Sequence, residues 1–559
     1  MPVSVARRLR LIAHSPATYL VLIALVPLLL AYLRTAAHGW SPEGDDAVIA
    51  DRIRMVFSTN PPVMGQNSTS GLQAGKVDSH HPGPLEFYLA APVALLFGFH
   101  NLGILTAVVV LNGLAIAGTV LIAWRLRGPR TAIPIVAAVV VLQWVLGPEV
   151  LVRPLNTYVA ALPALLVLVS AWAVLDGYLA MLWVYVVSAS YVAQANLAFT
   201  PFVVGLSVVL ALVGLVRVLR RHDGPGRSPD ARRRSLRAWA IAGGVLLLVW
   251  LPSLLELVLY SPNNLAQLWR YRSESQADGT PWSRAFAYPL GQLGSLGFGR
   301  FTAGNGATRG GLAASCGAVL LVLTALGAFG GRKLPHTAGS TACGVALAAV
   351  AAETWGLTYM AGIPVAYWTM PVFAIGVFLI AALAIRGWEL APEHVHRFHL
   401  GRTGWASVAA GGVLVAVFAS VGATPPNWTA MDRARTATDR LIPYLTEHVA
   451  PGSRVKVGGD GLTALTMNSA VGFQLDRRGY HAYYLLARKT AEDTDDYHVD
   501  RADRLPPDAY ARVSLVERTS GGGWSSPQPP GSQAVDLVPA DAGGPAVRAF
   551  VTVPDQLRP

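Results

Sequence analysis

The stretch GILTAVVVLNGLAIAGTVLIAW at positions 103–124, followed at once by Arg125-Leu126-Arg127-Gly128-Pro129-Arg130, decides the class of this chain. An uncharged run of that length makes about 33 Å of helix, enough to cross a hydrocarbon layer, and the arginines at one end give the segment a side. Working outward, ten further apolar blocks are able to span, at about 15–33, 131–147, 158–175, 179–196, 199–216, 238–255, 311–330, 338–356, 361–385 and 405–422. Only 14% of the 559 residues are charged, 53% are hydrophobic and the mean hydropathy is +0.43. A soluble domain carries roughly a quarter charged residues, so a soluble globular enzyme is excluded, as are a disordered chain and a solenoid. The expected fold is a polytopic α-helical membrane protein of about 11 transmembrane helices.

The net charge of +12 is an orientation signal before it is a partner signal. With Arg7, Arg8 and Arg10 placed in the cytoplasm, 19 basic residues fall on inner connections, and Arg153 alone falls on the short outer ones. No small-residue cleavage site follows the first span, which therefore reads as an anchor and not as a removed signal. The segment 84–99 is apolar but only about 16 residues long, and a span there would turn the Arg125–Arg130 cluster and the arginine-rich 217–237 loop outward. It reads as re-entrant or interfacial. Odd parity then sets 423–559 outside as a soluble α/β domain, close to neutral with 15 basic and 16 acidic residues. Strand-like pieces occur at Arg454-Val455-Lys456-Val457 and Gly472-Phe473-Gln474-Leu475, broken by Gly458-Gly459-Asp460-Gly461, and the Gly-, Ser- and Pro-rich stretch 519–534 reads as flexible. Cys316 and Cys343 lie in apolar blocks and form neither a zinc spacing nor a disulfide framework. Nucleic-acid binding has no support.

Two outer connections, 35–102 and 256–310, are much longer than the rest and are where chemistry is expected. The first opens with Ser41-Pro42-Glu43-Gly44-Asp45-Asp46 ahead of a helical stretch over 47–55. Adjacent carboxylates beside a membrane are costly unless they meet a wet cavity, a cation or a partner. The plain reading makes Asp45 or Asp46 the N-cap of that helix. Capping by Asp46 leaves Asp45 free to point into a cavity. The loop closes with Lys76-Val77-Asp78-Ser79-His80-His81-Pro82-Gly83-Pro84-Leu85-Glu86-Phe87-Tyr88. That element is either a metal-free turn or, through the histidines beside Asp78, a cation site, although the HxH spacing is missing.

The acidic pair, about 35 residues of loop and then the His-Pro-x-Pro-Leu element together resemble the GT-C superfamily of membrane glycosyltransferases. That superfamily includes the protein O-mannosyltransferases, the aminoarabinose transferases and the actinobacterial arabinofuranosyl- and mannosyltransferases. Where several members read His-Pro-Pro-Leu, this chain reads His81-Pro82-Gly83-Pro84-Leu85, one residue longer. Trp250-Leu251-Pro252-Ser253-Leu254-Leu255-Glu256 followed by Asn263-Asn264-Leu265 is similar to the segment that opens the second long loop in actinobacterial members.

The resemblance implies transfer of a sugar from a polyprenyl-phosphate carrier to a glycan, lipid or protein of the cell envelope, outside the cytoplasm and without a nucleotide cofactor. An acceptor hydroxyl must lose its proton as it attacks, which one carboxylate performs as general base, while the leaving phosphate is met by cationic or N–H donors. A single displacement inverts the anomeric carbon. By match to the family pair, Asp45 is the base and Asp46 its orienting partner or, with His81, a ligand of a divalent cation such as Mg, Mn or Ca. Candidate donors toward the carrier phosphate and sugar are Arg52, Arg54, Lys76, His80, His81, Arg153 with Asn156, Arg270, Arg272, Arg284 and Arg300. Trp355, Tyr359, Tyr367 and Trp368 read first as an aromatic belt at the membrane surface and second as a sugar platform. Asn67-Ser68-Thr69 and Asn427-Trp428-Thr429 match the N-glycosylation pattern, a common one. A composition rich in Ala, Gly, Arg and Val, with only four lysines, suggests a GC-rich, actinobacterial genome. The competing expectations are a non-catalytic transporter or flippase of lipid-linked sugars, for which paired mid-membrane breaks are missing, and a degenerate glycan-binding member of the family.

Overall fold

The computed structural model describes residues 15–68, 79–220, 229–274, 279–295, 311–330, 337–360, 366–391, 402–421, 427–484, 506, 508–541 and 543–559. Among these, eight helical spans are long and apolar enough to cross a membrane: Pro16–His38 (α1), Asn101–Arg127 (α4), Pro129–Leu146 (α5), Leu197–Val216, Arg233–Leu259, Gly311–Phe329, Ala338–Leu357 and Ala366–Leu390. The last five lie in Thr200–Arg220 (α9), Pro229–Leu259 (α10), Gly311–Phe329 (α13), Ala338–Leu357 (α14) and Met370–Leu390 (α15). Two other expected spans are helical but shorter, Ala161–Leu175 (α7) and the stretch containing Leu182–Ala195 (α8), and the last is the 20-residue helix Arg402–Val421 (α16). Leu85–Leu96 (α3) has 12 residues and rises about 18 Å, too little to cross the hydrocarbon layer.

α7 is the hub of the helical core. Every residue in it except Leu166 is buried, and Trp172 in its last turn meets Phe378 of α15 edge-on and donates its indole N–H to the Ala338 carbonyl at 2.8 Å. α10 and α13 instead expose leucine and valine along most of their length, as helices bordered by lipid do. Cys316 and Cys343 are both free thiols.

The C-terminal region is built on a five-stranded mixed sheet: Arg454–Asp460 (β1), His481–Tyr484 (β2), Ala511–Glu517 (β3), Gln533–Val538 (β4) and Val547–Thr552 (β5), in spatial order β2-β1-β3-β5-β4. β1 runs parallel to both β2 and β3, and β5 pairs antiparallel with β3 and β4. Parallel neighbours need a crossover. Leu462–Asp476 (α18) supplies it between β1 and β2, so the Gly472-Phe473-Gln474-Leu475 piece expected as a strand is helical. Its alternation is short, and the demand for a crossover outweighs it. Thr429–His448 (α17) lays Ala434, Ala437, Leu441 and Leu445, one face at a spacing of three to four, against this unit, while Met431 near its start joins the membrane-helix core. The Gly/Ser/Pro-rich stretch is tied down by bonds from Thr519 N to Gly523 O (2.8 Å) and from Ser525 N to Glu517 O (2.8 Å), and β4 already begins at Gln533.

Asp45–Met55 (α2) is shared between the two cores. Ala47, Ile49, Ala50 and Ile53 join the membrane-helix core, whereas Val48 packs with Ala434, Ala437 and the strands of the sheet. The loop chemistry and the sheet therefore sit at the same end of the helical bundle.

Candidate active site

α2 begins at Asp45, two residues earlier than expected, and its N-cap is Gly44 at φ 53° with no side-chain cap. Neither Asp45 nor Asp46 is the cap; both stand in the first turn, where the helix dipole favours negative charge. Consecutive helical residues diverge by about 100°, so the two carboxylates look different ways. Asp45 opens into a cavity of about 690 Å³, and Asp46, 1% exposed, lines a separate one of about 240 Å³, with Tyr158 in the walls of both.

Asp46 belongs to an ion cluster. Arg153, just beyond the short helix Pro148–Val152 (α6), donates its Nε to Asp46 Oδ2 at 2.7 Å and approaches Glu43 Oε1 at 3.5 Å. Burial lowers the affinity of Arg153 for its proton, but Asp46 and Glu43 raise it more, so it stays a cation. Burial also raises the Asp46 carboxyl, which Arg153 holds back, and pushes Glu43 up to about 7. Glu149 lines the same small cavity and accepts the Asn427 N–H at 2.7 Å.

In the larger cavity Asp45 is the one acid and Arg272 the one guanidinium among the described lining residues. Desolvation, aided by Asp46, raises the Asp45 carboxyl, while Arg153 and a hydrogen bond from the Gln66 side chain pull the other way. Such a shift gives a stronger base than an ordinary carboxylate.

The loop ends pair as a short antiparallel ladder, with bonds from Ser68 N to Ser79 O (2.9 Å), His81 N to Gln66 O (2.8 Å) and Gly65 N to His81 O (3.2 Å). This ladder presents His81 to the cavity. Its Nδ1 accepts the Leu197 N–H at 3.1 Å, and burial beside His80 and Arg52 pushes its pKa down to about 3. The ring is thus neutral, with its proton on Nε2. Gly83, the residue that lengthens the His-Pro-x-Pro element, packs against Gln194 and Ser253 with no room for a Cβ. Ser253 Oγ donates to Pro82 O at 3.0 Å.

Asn156 lines the same cavity, as do Tyr271 and all four aromatics read first as a membrane belt: Trp355, Tyr359, Tyr367 and Trp368. They form two edge-to-face pairs, and Arg272 lies 5.6 Å over the Tyr359 ring. Arg272 comes from Asn264–Glu274 (α11), whose other face exposes Leu265 and Trp269.

Several expected ligands lie elsewhere. Arg270, on the same helix but two residues away, pairs with Glu274 at 3.2 Å and does not line the cavity. Arg52 is buried and braces the ladder by donating to Gly65 O at 3.1 Å, while Arg54 pairs with Asp51 at 2.9 Å. His80 is fully buried; Asn264 accepts its backbone N–H at 2.8 Å and donates to its carbonyl at 3.2 Å. Arg284 is exposed on Trp282–Gly294 (α12), and Lys76 and Arg300 lie outside the described residues. Asp46 and His81 line different cavities, and no three His, Cys, Asp or Glu side chains converge as a metal set among the described residues. The guanidinium of Arg153 sits where a cation beside Asp46 would be held, so these residues do not fit the expected Asp46–His81 metal pair. Asn67 and Ser68 face the cavity, an unsuitable place for a glycan, and Asn427 Oδ1 accepts the Thr429 N–H at 3.2 Å at the start of α17.

Sequence reasoning passed over Glu43, Glu149 and Tyr158. Glu43 stood inside the quoted acidic motif, and Glu149 beside Pro148 marked a helix start, but only the fold brings both to Arg153, more than a hundred residues from Glu43.

No family model matches the chain, and no curated protein matches it. Among solved structures it is similar to ArnT from Cupriavidus metallidurans bound to undecaprenyl phosphate, at 14% identity over 95% of this chain and 97% of that one, with a TM-score of 0.49. It is also similar to the archaeal oligosaccharyltransferase AglB from Archaeoglobus fulgidus in complex with an inhibitory peptide and a dolichol-phosphate, at 13% identity over 90% and 74% of the two chains, with a TM-score of 0.36.

Proposed function

We propose that the chain is an inverting glycosyltransferase that moves a hexosyl or pentosyl unit from a polyprenyl-phosphate carrier to a glycan, lipid or protein acceptor of the cell envelope. The charge count supports a reaction on the outer face of the plasma membrane, with the N-terminus inside and the C-terminal sheet outside. The observation that carries the reading is Asp45, the one carboxylate among the described lining residues, opening with a raised pKa into an aromatic-lined cavity where Arg272 is the one described guanidinium. Hydrolysis of a glycoside calls for two carboxylates, but a phosphate leaving group needs no acid, and one base suffices.

In this reading Asp45 takes the proton of the acceptor hydroxyl as that oxygen attacks the anomeric carbon and the bond to the phosphate oxygen breaks. Arg272 and the Nε2–H of neutral His81 meet the negative charge growing on the phosphate. Tyr271, Trp355, Tyr359, Tyr367 and Trp368 offer flat faces to sugar and prenyl carbons. No step is assigned to a cation.

The test supplies undecaprenyl-phosphate-linked mannose, glucose and arabinofuranose to the protein in liposomes and follows both label transfer and release of free carrier. Asp45→Asn lowers transfer by about 10²- to 10⁴-fold without loss of folded protein. Full activity in that variant would remove Asp45 as the base. Donor crossing the bilayer uncleaved, with intact protein, would favour the transporter reading.

A further inference from the structure

Asp45 is the first residue of α2, and the peptide just before it is held by a helix more than 400 positions away in the chain. Gly44 N donates to Thr466 O at 2.9 Å, and Gly44 O accepts the Ser469 hydroxyl at 2.8 Å as well as the N–H groups of Ala47 and Val48 that open the helix. Both polar groups of Gly44 are therefore engaged by α18 of the sheet region. The glycine has φ 53°, a positive value that glycine adopts at no steric cost. One turn on, Val48 is sunk in the sheet region's core. Farther along, Tyr484 approaches Asp51 Oδ2 at 3.4 Å, and Asp476 lies 3.7 Å from Arg54. α2 thus meets the sheet region along one face, and the contact nearest the cavity is the pair of bonds at Gly44.

We infer that the C-terminal sheet region is a positioning part of the transfer site, in which Ser469 and the Thr466 carbonyl lock Gly44 and thereby aim the Asp45 carboxylate into the larger cavity. This rests on the reading of Asp45 as base. Ser469 is fully buried, bonds the backbone and does not line the cavity, so it acts through Asp45 and never on substrate.

The experiment compares the full-length protein with Ser469→Ala, Ser469→Thr, Tyr484→Phe and Asp45→Asn, reading carrier release from the undecaprenyl-phosphate sugars above and hydrogen exchange of the segment 41–50. Misplacement of a reacting group by about 1 Å costs on the order of 100-fold, so Ser469→Ala is expected to lower kcat by about 10- to 100-fold with KM for the donor unchanged. Exchange at 44–48 rises in the same variant. Ser469→Thr keeps the hydroxyl and recovers most of kcat. Tyr484→Phe loosens the far end of the same face and lowers Tm with kcat retained.

Unchanged exchange at 44–48 in Ser469→Ala overturns the lock, whether or not a donor turns over. Parallel loss of kcat and Tm in both Ser469→Ala and Tyr484→Phe reduces it to a fold contact and overturns positioning. A dead Asp45→Asn beside a fully active Ser469→Ala refutes the positioning alone, whereas an active Asp45→Asn refutes the base reading itself.

Discussion

Replacing Arg153 by methionine removes the cation from a cluster of three acids while roughly keeping its volume. Asp46 is 1% exposed and bonded to Arg153 at 2.7 Å, with Glu43 at 3.5 Å. Two unit charges about 4 Å apart attract by ~4 kcal/mol at an effective dielectric of ~20. Breaking a buried pair from one side costs about 3–5 kcal/mol because the remaining charge is stranded. The Arg153 side chain is 26% exposed, and that screening places the expected loss at the low end, about 3 kcal/mol.

The stranded Asp46 can relieve the loss by taking up a proton. A carboxyl whose folded pKa exceeds its unfolded value loses stability as pH rises, so Arg153→Met should be least damaging near pH 5 and most damaging near pH 8. Adding Asp46→Asn to it should restore most of the loss. The assay is chemical and thermal unfolding of the detergent-solubilised protein, run as a double-mutant cycle at several pH values. A loss that is equal at all pH values, or that Asp46→Asn does not relieve, would refute the assignment of Arg153 as the counter-ion that lets Asp46 stay buried and charged.

Further outcomes follow from the same geometry. Asp46 raises the Asp45 pKa, so Asp46→Asn should move the acid limb of the kcat/KM profile to lower pH, as measured on carrier release. Burial makes the ionised Asp45 costly, so Asp45→Asn should raise Tm at pH 7–8, with the gain vanishing as the pH falls toward 4. Arg272→Gln should weaken undecaprenyl phosphate binding by about 10- to 100-fold, as expected for a charged hydrogen bond, while Arg270→Gln leaves it within a few-fold; equal losses would mean that the distinction between them is wrong. Asn264→Ala strips both bonds from the buried His80 backbone and should cost about 1–3 kcal/mol in unfolding.

The membrane blocks were readable because their lengths are fixed by the solvent they cross, and each of the eleven is helical. The acidic pair was readable as a motif but not as a geometry. With the helix expected to start at residue 47, Asp46 reads as a cap that leaves Asp45 to the cavity, a split of roles without a geometry behind it. Starting the helix at Asp45 forces them apart by a third of a turn and hands Asp46 to Arg153. Arg270 and Arg272 show the same limit: both lie on one short helix, and only the burial of Asn264 and Gln267 and the lining of the cavity by Leu268 and Tyr271 say which face is inward. The aromatics at 355–368 line the larger cavity, a place the sequence alone does not choose, because amphipathic rings at a helix end serve a lipid surface and a cavity wall equally well.

Two of the helices that end at the larger cavity are short for the layer around them. α7 has 15 residues, about 22 Å of rise against about 30 Å of hydrocarbon, and it begins just after the cavity residues 155–158; α8, whose helical stretch runs over Leu179–Ala195, gives way to Asn196 and Leu197 on the same wall. Because every residue of α7 except Leu166 is buried, protein and not lipid surrounds this short helix, and the length it does not cover is taken up by residues 155–158, which line the cavity. The larger cavity is thereby recessed into the end of the bundle, its floor set by where α7 begins.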